Sequence, residues 1–305
     1  MPSFENPFKS SPPKPRSSND AKFVERILGA KEAADLESMT GKVPVEAKTP
    51  DRADAIWTSE EQANVKVEKR KDVWTKNQLY DWAEIAGLPD DWVDTSLVFH
   101  EDGSFECTGD LIVDGNRIVE LPKGLVGVRG DVNVSHNKIA SLEGFPEVID
   151  GDLSLEFNPI KSLKGMPRKI GGSLYLDGVK LSSLEGLTQD IGGDLFLHHC
   201  ELTSLIGMPS MIPGSIQLYN NKLTSLDGFP QTVGGAVSVS WNQLPNLVGL
   251  PSVINEDLHI DTNPLISLEG LPSSSAIKGK LYIGSAQKEQ FGSELERQGY
   301  KIEEC

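Results

Sequence analysis

Three consecutive side chains in this sequence carry the donor atoms of a zinc site. His198, His199 and Cys200 follow one another, and imidazole nitrogen and thiolate sulfur are ligands that zinc prefers. Neighbouring residues of an extended chain point in different directions, so these three do not converge on one ion. Two further histidines, His136 and His259, lie three repeat periods away, roughly 14 Å at the spacing of stacked strands. We therefore predict no metal site and no cofactor.

Aspartates spaced by multiples of 21 residues offer a second possible chemistry, calcium binding. They are Asp110, Asp131, Asp152, Asp194 and Asp257. Calcium takes about six to eight oxygen ligands, and one carboxylate per repeat supplies few of them. We expect no calcium site here, and a calcium-dependent melting temperature would reveal one.

The sequence lacks the common catalytic signatures. It contains no G-x-S-x-G nucleophile elbow, no H-E-x-x-H zinc helix and no G-x-x-x-x-G-K-[ST] phosphate loop. We therefore predict that the chain is not an enzyme and has no catalytic residue. An unrecognised active site near His198 and His199 stays as an alternative, and a hydrolase screen with both histidines replaced by alanine would test it.

The charge and the apolar content limit the classes of partner. The net charge of −16 disfavours nucleic acid and anionic membrane surfaces, which both require clustered Lys and Arg. No apolar run approaches the ~20 residues of a membrane span, and the N-terminus lacks the apolar segment of a signal peptide. Three cysteines at unrelated spacings suit a reducing compartment. We predict a cytoplasmic, monomeric protein; secretion without a cleavable signal peptide is the alternative.

One pattern of 21 residues organises most of the chain. Its copies begin at residues 109, 130, 151, 172, 193, 214, 235 and 256, and a ninth strand begins at Gly279 after an interval of 23. The shared pattern is G-D-L-x-L-x-x-N-x-L-x-S-L-x-G-x-P-x-x-I-G. Such a period predicts a solenoid, in which each copy forms one coil and neighbouring coils share a continuous core.

The centre of this pattern, L-x-L-x-x-N-x-L, resembles the signature of leucine-rich repeats over about residues 109–285. The short period is similar to that in the repeat regions of bacterial effectors, and the G-G-D-L variant looks like repeats of bacterial and phage proteins. The resemblance implies an α/β-type repeat, a leucine-rich-repeat solenoid with a parallel sheet on its concave face. It implies binding of a partner and carries no catalytic residue onto this chain.

Each position of the pattern has a physical reason. Leu153 and Leu155 alternate with Ser154 and so face one side of a short strand. A buried amide needs hydrogen bonds, so we expect a ladder between coils from one column of asparagines: Asn116, Asn137, Asn158, Asn221, Asn242 and Asn263. Val179 and Cys200 interrupt that column. Recurrent glycines such as Gly144 mark a bend with positive φ, and the prolines after them favour an extended return path. The convex side is therefore predicted to be largely without helices.

The ends of the solenoid need caps, because they would otherwise expose apolar side chains. We predict a disordered tail over 1–20, a helical and linker region over 21–71 with a helix at 21–39, an N-terminal cap over 72–108, the solenoid over 109–284 and a C-terminal cap over 285–305. Both caps are predicted to contain a helix: one after Thr75 that buries Leu79, Trp82 and Ile85, and one after Ser285 that Gly299 closes. A hairpin with its turn at residues 102–103 and a final strand at 300–302 complete them.

Large amphipathic side chains gather on the predicted concave face. Seven candidate partner-binding residues occupy outward positions of successive copies: Phe157, Tyr175, Phe196, His198, His199, Tyr219 and Trp241. Aromatic side chains on a polar surface are typical of interface hot spots; the alternative is cross-strand packing that only stabilises the sheet. The sequence thus predicts a non-catalytic module that binds a protein ligand, with a translocated effector that acts on a host protein as the alternative.

Overall fold

The structure is a computed structural model, and it describes residues 72–113, 115, 117–181 and 183–305. The tail predicted over 1–20 and the helical linker predicted over 21–71 lie outside the described residues. No helix among the described residues is long and apolar enough to cross a membrane.

Helix α1 (Lys76–Ala86) begins at Thr75, as predicted from the sequence. The Thr75 hydroxyl accepts a hydrogen bond from the Gln78 N–H, and the Gln78 Oε1 accepts one from the Thr75 N–H, which forms a capping box. Its buried face consists of Leu79, Trp82, Ala83 and Ala86. The prediction that Ile85 joins this face is wrong: Ile85 is exposed, because it lies off the i, i+3, i+4, i+7 stripe.

A short helix and a hairpin follow α1. Helix α2 (Trp92–Ser96) continues directly into strand β1 (Leu97–Phe99), which pairs antiparallel with β2 (Phe105–Cys107). The turn lies at Asp102 and Gly103, and the φ of Gly103 is +89°, so the predicted hairpin is present. The Trp82 and Trp92 rings contact each other with centroids 5.8 Å apart, and the Trp82 indole N–H donates to the Glu120 carbonyl.

From residue 109 onward the chain is a parallel-strand β-solenoid of about nine turns. One ten-stranded sheet runs along it, and strands of adjacent coils pair in parallel, with Leu153 opposite Val132 and Leu174. Its strands are β3 (Leu111–Ile112), β5 (Val132–Asn133), β7 (Leu153–Ser154), β9 (Leu174–Tyr175), β10 (Leu195–Phe196), β12 (Ile216–Gln217), β14 (Val237–Ser238), β15 (Leu258–His259), β16 (Leu281–Ile283) and β17 (Ile302–Glu304).

The return path of each coil also forms sheet, which the sequence analysis missed. Strands β4 (Leu125–Val128), β6 (Val148–Ile149) and β8 (Lys169–Ile170) extend the hairpin into a five-stranded sheet, and β11 (Met211–Ile212) pairs with β13 (Thr232–Val233). Single bridges join Ile170 to Ile191, Val233 to Ile254 and Ile254 to Ile277. No helix occurs among the described residues between β1 and β16, as predicted for this side.

Buried side chains of successive coils form one continuous apolar core. In a representative coil Leu153, Leu155, Ile160, Leu163 and Ile170 are at most 1% exposed. The same five positions are apolar and buried in most other copies. Stacking stabilises the solenoid because each coil covers the apolar surface of two neighbours, whereas a single coil would leave that surface in water.

The asparagine column forms the ladder that the sequence predicted, at its described members. Asn221 shows the pattern: its Oδ1 accepts from the Cys200 and Leu202 N–H groups, and its Nδ2 donates to the Leu197 and Leu218 carbonyls. Asn137, Asn158, Asn242 and Asn263 make equivalent bonds across the coils. Asn116 lies outside the described residues.

One interruption of this ladder is partly compensated. The Cys200 thiol donates to the Leu176 carbonyl at 3.2 Å, in the place where an asparagine amide would donate. Burial raises the pKa of this thiol to about 12, so Cys200 stays a neutral donor. The Leu181 N–H, which would donate to an asparagine at position 200, bonds the Cys200 carbonyl instead. At Val179 the side chain offers no hydrogen bond.

The glycine column adopts the expected left-handed bend. Gly165 has φ of +92°, and a Cβ built there would lie 2.5 Å from the Leu142 carbonyl oxygen of the preceding coil. Backbone therefore packs directly on backbone at this corner, which only glycine permits.

After β16 the chain forms helix α3 (Ser285–Arg297) and then β17. Gly284 is the residue that caps α3, so the prediction of Ser285 as the cap is wrong by one residue. Gly299 has φ of +83° just beyond the helix, as predicted. Phe291 and Leu295 form the buried face of α3. The Gln287 side-chain amide donates a hydrogen bond to the Ile260 carbonyl, in the coil that begins at residue 256. Strand β17 begins at Ile302, two residues later than the predicted 300–302.

Candidate functional site

The aspartates before each first core leucine have a structural role that the sequence analysis did not find. Asp131 Oδ1 accepts from the backbone N–H of Asp152 at 2.8 Å, and Asp152 Oδ1 accepts from the N–H of Ser173 at 2.7 Å. The same bond recurs at Asp110, Ser173, Asp194, Ser215 and Asp257. This column is a second side-chain ladder along the sheet, and one oxygen of each aspartate is already used in it.

A single residue interrupts this ladder and allows a test of its contribution. The side chain of Ala236 has no oxygen, so the Asp257 N–H has no side-chain acceptor in this column. Ala236→Ser is expected to raise the free energy of unfolding by about 0.5–1.5 kcal/mol, one net hydrogen bond. Thermal unfolding should show an increase of about 1–5 °C. Ala236→Val, which adds bulk without an acceptor, is the control, and an equal gain in both variants would contradict this explanation.

Two pairs of outward residues on the ten-stranded sheet are stacked rings. The Tyr175 and Phe196 rings lie 4.6 Å apart and 7° from parallel, and they belong to the neighbouring strands β9 and β10. His259 and Tyr282 stack in the same way at 4.1 Å on β15 and β16. Half-burial raises the pKa of Tyr175 to about 12. Cross-strand packing, the alternative left open by the sequence, is therefore present at these pairs, and all four side chains remain partly exposed.

A cluster of ionisable groups lies just beyond these strands. His198 Nε2 is 3.1 Å from Asp177 Oδ1, and the His198 ring stacks on Tyr219 at 4.4 Å. His199 lies edge-on to Tyr219 with its Nδ1 3.0 Å from that of His198. Burial raises the pKa of Tyr219 to about 12, and burial and then His198 lower the pKa of His199. Burial and then Asp177 raise the pKa of Glu156, beside this cluster.

The position two residues after the second core side chain of each copy, which His199 occupies in this cluster, is a left-handed corner. The sequence analysis took it for an ordinary outward position. Gly115 and Gly178 occupy it with φ of +111° and +71°. Other copies place larger side chains at φ between 51° and 59°: His136, Phe157, His199, Asn220, Trp241 and Thr262. This conformation costs a non-glycine residue about 1–2 kcal/mol. The large aromatic side chains Phe157 and Trp241 are thus held at strained corners, each 54% exposed.

The seven residues predicted to bind a partner form three groups and one separate residue. Tyr175 pairs with Phe196, and His198, His199 and Tyr219 form the ionisable cluster. Phe157 stacks on His136, which the sequence analysis left out although the two residues occupy the same position in adjacent copies. Trp241 stands apart on its own corner. We call the seven predicted residues the aromatic face.

The run of His198, His199 and Cys200 does not gather its donor atoms. Cys200 is fully buried and its sulfur bonds core carbonyls, whereas the two imidazoles lie on the surface. The divergence of consecutive side chains expected from the sequence holds for Cys200 but not for His198 and His199, whose Nδ1 atoms lie 3.0 Å apart.

Comparison with protein-family models, with curated proteins and with solved structures found no match to this chain.

Proposed function

We propose that the chain is a non-catalytic interaction protein of the leucine-rich-repeat type that binds a partner protein through the aromatic face. The observation that carries this proposal is that Phe157 and Trp241 expose aromatic rings from backbone positions with strained, positive φ. A glycine occupies the same corner in other copies without strain. Strain that the fold does not require is typical of positions with a functional role.

The remaining residues of the aromatic face support the same proposal. Exposed aromatic rings that have few side-chain degrees of freedom are typical of interface hot spots. Four coil spacings separate Phe157 from Trp241, about 19 Å at the spacing of adjacent strands. A patch of this length fits a standard interface, which buries about 800 Å² on each partner.

The chemistry of this surface indicates what the partner presents. Carboxylates border the rings on both sides: one oxygen of Asp152 and of Asp194 is committed to the ladder, and Glu156 lies beside the ionisable cluster, in which Asp177 is buried. Such a border favours a partner with an apolar centre and basic residues around it. The net charge of −16 also attracts a basic partner at longer range.

Helices α1 and α3 fit the role of caps for the solenoid. Helix α1 covers the first coils with Leu79 and Trp82, and α3 covers the last with Phe291 and Leu295. We infer that both helices keep the terminal apolar side chains from self-association, so that the aromatic face is the surface left for a partner.

Replacing Phe196 and Tyr219 together with alanine tests the proposal. We expect the double variant to lose partners that the wild-type chain captures in its native cell extract, measured by quantitative mass spectrometry. The variant also loses two stacked pairs, which lowers the free energy of unfolding by about 1–3 kcal/mol. The chain should nevertheless remain folded, as circular dichroism at the assay temperature would show.

Ile206→Ala and Ile266→Ala are matched controls, because they remove exposed apolar side chains from other positions of the coils. Both controls should retain the captured proteins. Equal loss from the controls, or cooperative unfolding of the double variant below the assay temperature, would contradict the proposal and favour the purely structural role of the rings.

A further inference from the structure

Three donor atoms of different kinds converge near the far end of the ten-stranded sheet. A ring nitrogen of His259, a carboxylate oxygen of Asp261 and the Cys305 sulfur all lie within 4.8 Å of one another. His259 is the outward residue of β15, Asp261 follows two residues later, and Cys305 follows β17. These residues are distant in the sequence, and the sheet brings them together.

The fold fixes each of the three positions. Strands β15, β16 and β17 are adjacent and parallel, and Cys305 is tied to β16 by a 3.0 Å bond from its N–H to the Ile283 carbonyl. The His259 ring is held by its stack on Tyr282. Asp261 is 7% exposed and accepts hydrogen bonds from the Ser240 and Thr262 hydroxyls.

We propose that His259, Asp261 and Cys305 bind a divalent transition-metal ion of the zinc class. The donor set of one nitrogen, one oxygen and one sulfur suits such an ion and not calcium or magnesium, which take oxygen ligands. Three protein ligands with the fourth position open to water or another ligand is a common arrangement for zinc. The hydroxyls on Asp261 act as the outer partners that orient a metal-binding carboxylate.

The distances require only a small adjustment. Metal–ligand bonds of about 2.0–2.3 Å place tetrahedral ligands roughly 3.3–3.8 Å apart, about 1 Å closer than the widest separation here. Cys305 is exposed and follows the edge strand β17, so its side chain can close this gap without moving the core.

The charges of the three groups also suit a bound cation. Asp261 contributes one carboxylate to the cluster, and a divalent cation stabilises the thiolate form of a coordinating cysteine.

Cobalt(II) added to the full chain under reducing conditions tests the proposal. We expect one equivalent to bind, with the absorption band of a cobalt–thiolate bond, and zinc to displace it. Cys305→Ser should abolish the band, and Asp261→Asn should weaken binding at least about tenfold. His100→Ala, at the hairpin after α2, is the matched control and should leave the band unchanged. Failure of cobalt to produce the band in the wild type, or an unchanged band in Cys305→Ser, would overturn the proposal.

A second measurement does not depend on the folding of any variant. Zinc should slow alkylation of Cys305 by iodoacetamide at least about tenfold in the wild-type chain, because a metal-bound thiolate is protected. Cys107 and Cys200 are buried and serve as internal references. Alkylation of Cys305 at the same rate with and without zinc would contradict the proposal.

Discussion

Asn221→Ala is expected to lower the free energy of unfolding by about 3–5 kcal/mol. The amide makes four hydrogen bonds to backbone groups of two adjacent coils. Alanine leaves the Cys200 and Leu202 N–H groups and the Leu197 carbonyl without this partner, and each buried unsatisfied group costs about 1–3 kcal/mol. The Leu218 carbonyl keeps its bond from Asn242. Denaturant unfolding monitored by circular dichroism would measure the loss.

The adjacent Asn220 provides the control for this variant. Asn220 is exposed at the left-handed corner with φ of +57°, where glycine is free of strain. Asn220→Gly should change the free energy of unfolding by less than about 1 kcal/mol, because both variants remove one amide but only Asn221 is part of the ladder. Similar losses from the two variants would show that the ladder is not the source of the effect.

Much of the fold could be predicted because the 21-residue period fixes which residues stack. Leu153, Leu174 and Leu195 occupy the same position of three copies, and a solenoid places equivalent residues on adjacent strands. The burial of the core, the asparagine ladder and the glycine bend follow from that register and from side-chain chemistry. The Tyr175–Phe196 pair follows in the same way.

The features that the sequence analysis missed depend on backbone conformation. The aspartate near the start of each copy was considered only as a calcium ligand, although Asp131 reaches the backbone of the next coil. The second sheet forms where the return path is extended, and residue patterns such as Val148–Ile149 are too short to show strand periodicity. The left-handed corner was hidden because Phe157 and Trp241 are residues that rarely adopt positive φ.

The candidate metal cluster could not be found from the repeat at all. His259 follows the period, but Cys305 comes after α3 and β17, which lie outside it. The interval of 23 residues between the last two repeat strands also hid the stacking of His259 on Tyr282. Contacts between a repeat and a non-repeating end depend on the path of the end segment, which residue spacing does not give.

Trp241→Gly and Trp241→Ala are expected to separate binding from stability at the aromatic face. Both variants remove the same half-exposed ring, but only alanine keeps the strain of a left-handed corner with φ of +54°. The glycine variant should therefore be more stable than the alanine variant by about 1 kcal/mol. Thermal unfolding should show this as a difference of about 2–4 °C between the two.

Both variants should lose partner binding to the same extent if Trp241 is an anchor of the interface. Truncation of a hot-spot aromatic residue costs about 2 kcal/mol or more, which weakens binding roughly 30-fold. The measurement is titration of each variant with a partner captured by the wild-type chain. Recovery of binding in the glycine variant alone would mean that affinity follows stability and that the ring has no direct role. An equal loss of binding in two variants of unequal stability cannot be explained by stability. The change that both variants share is the missing Trp241 ring.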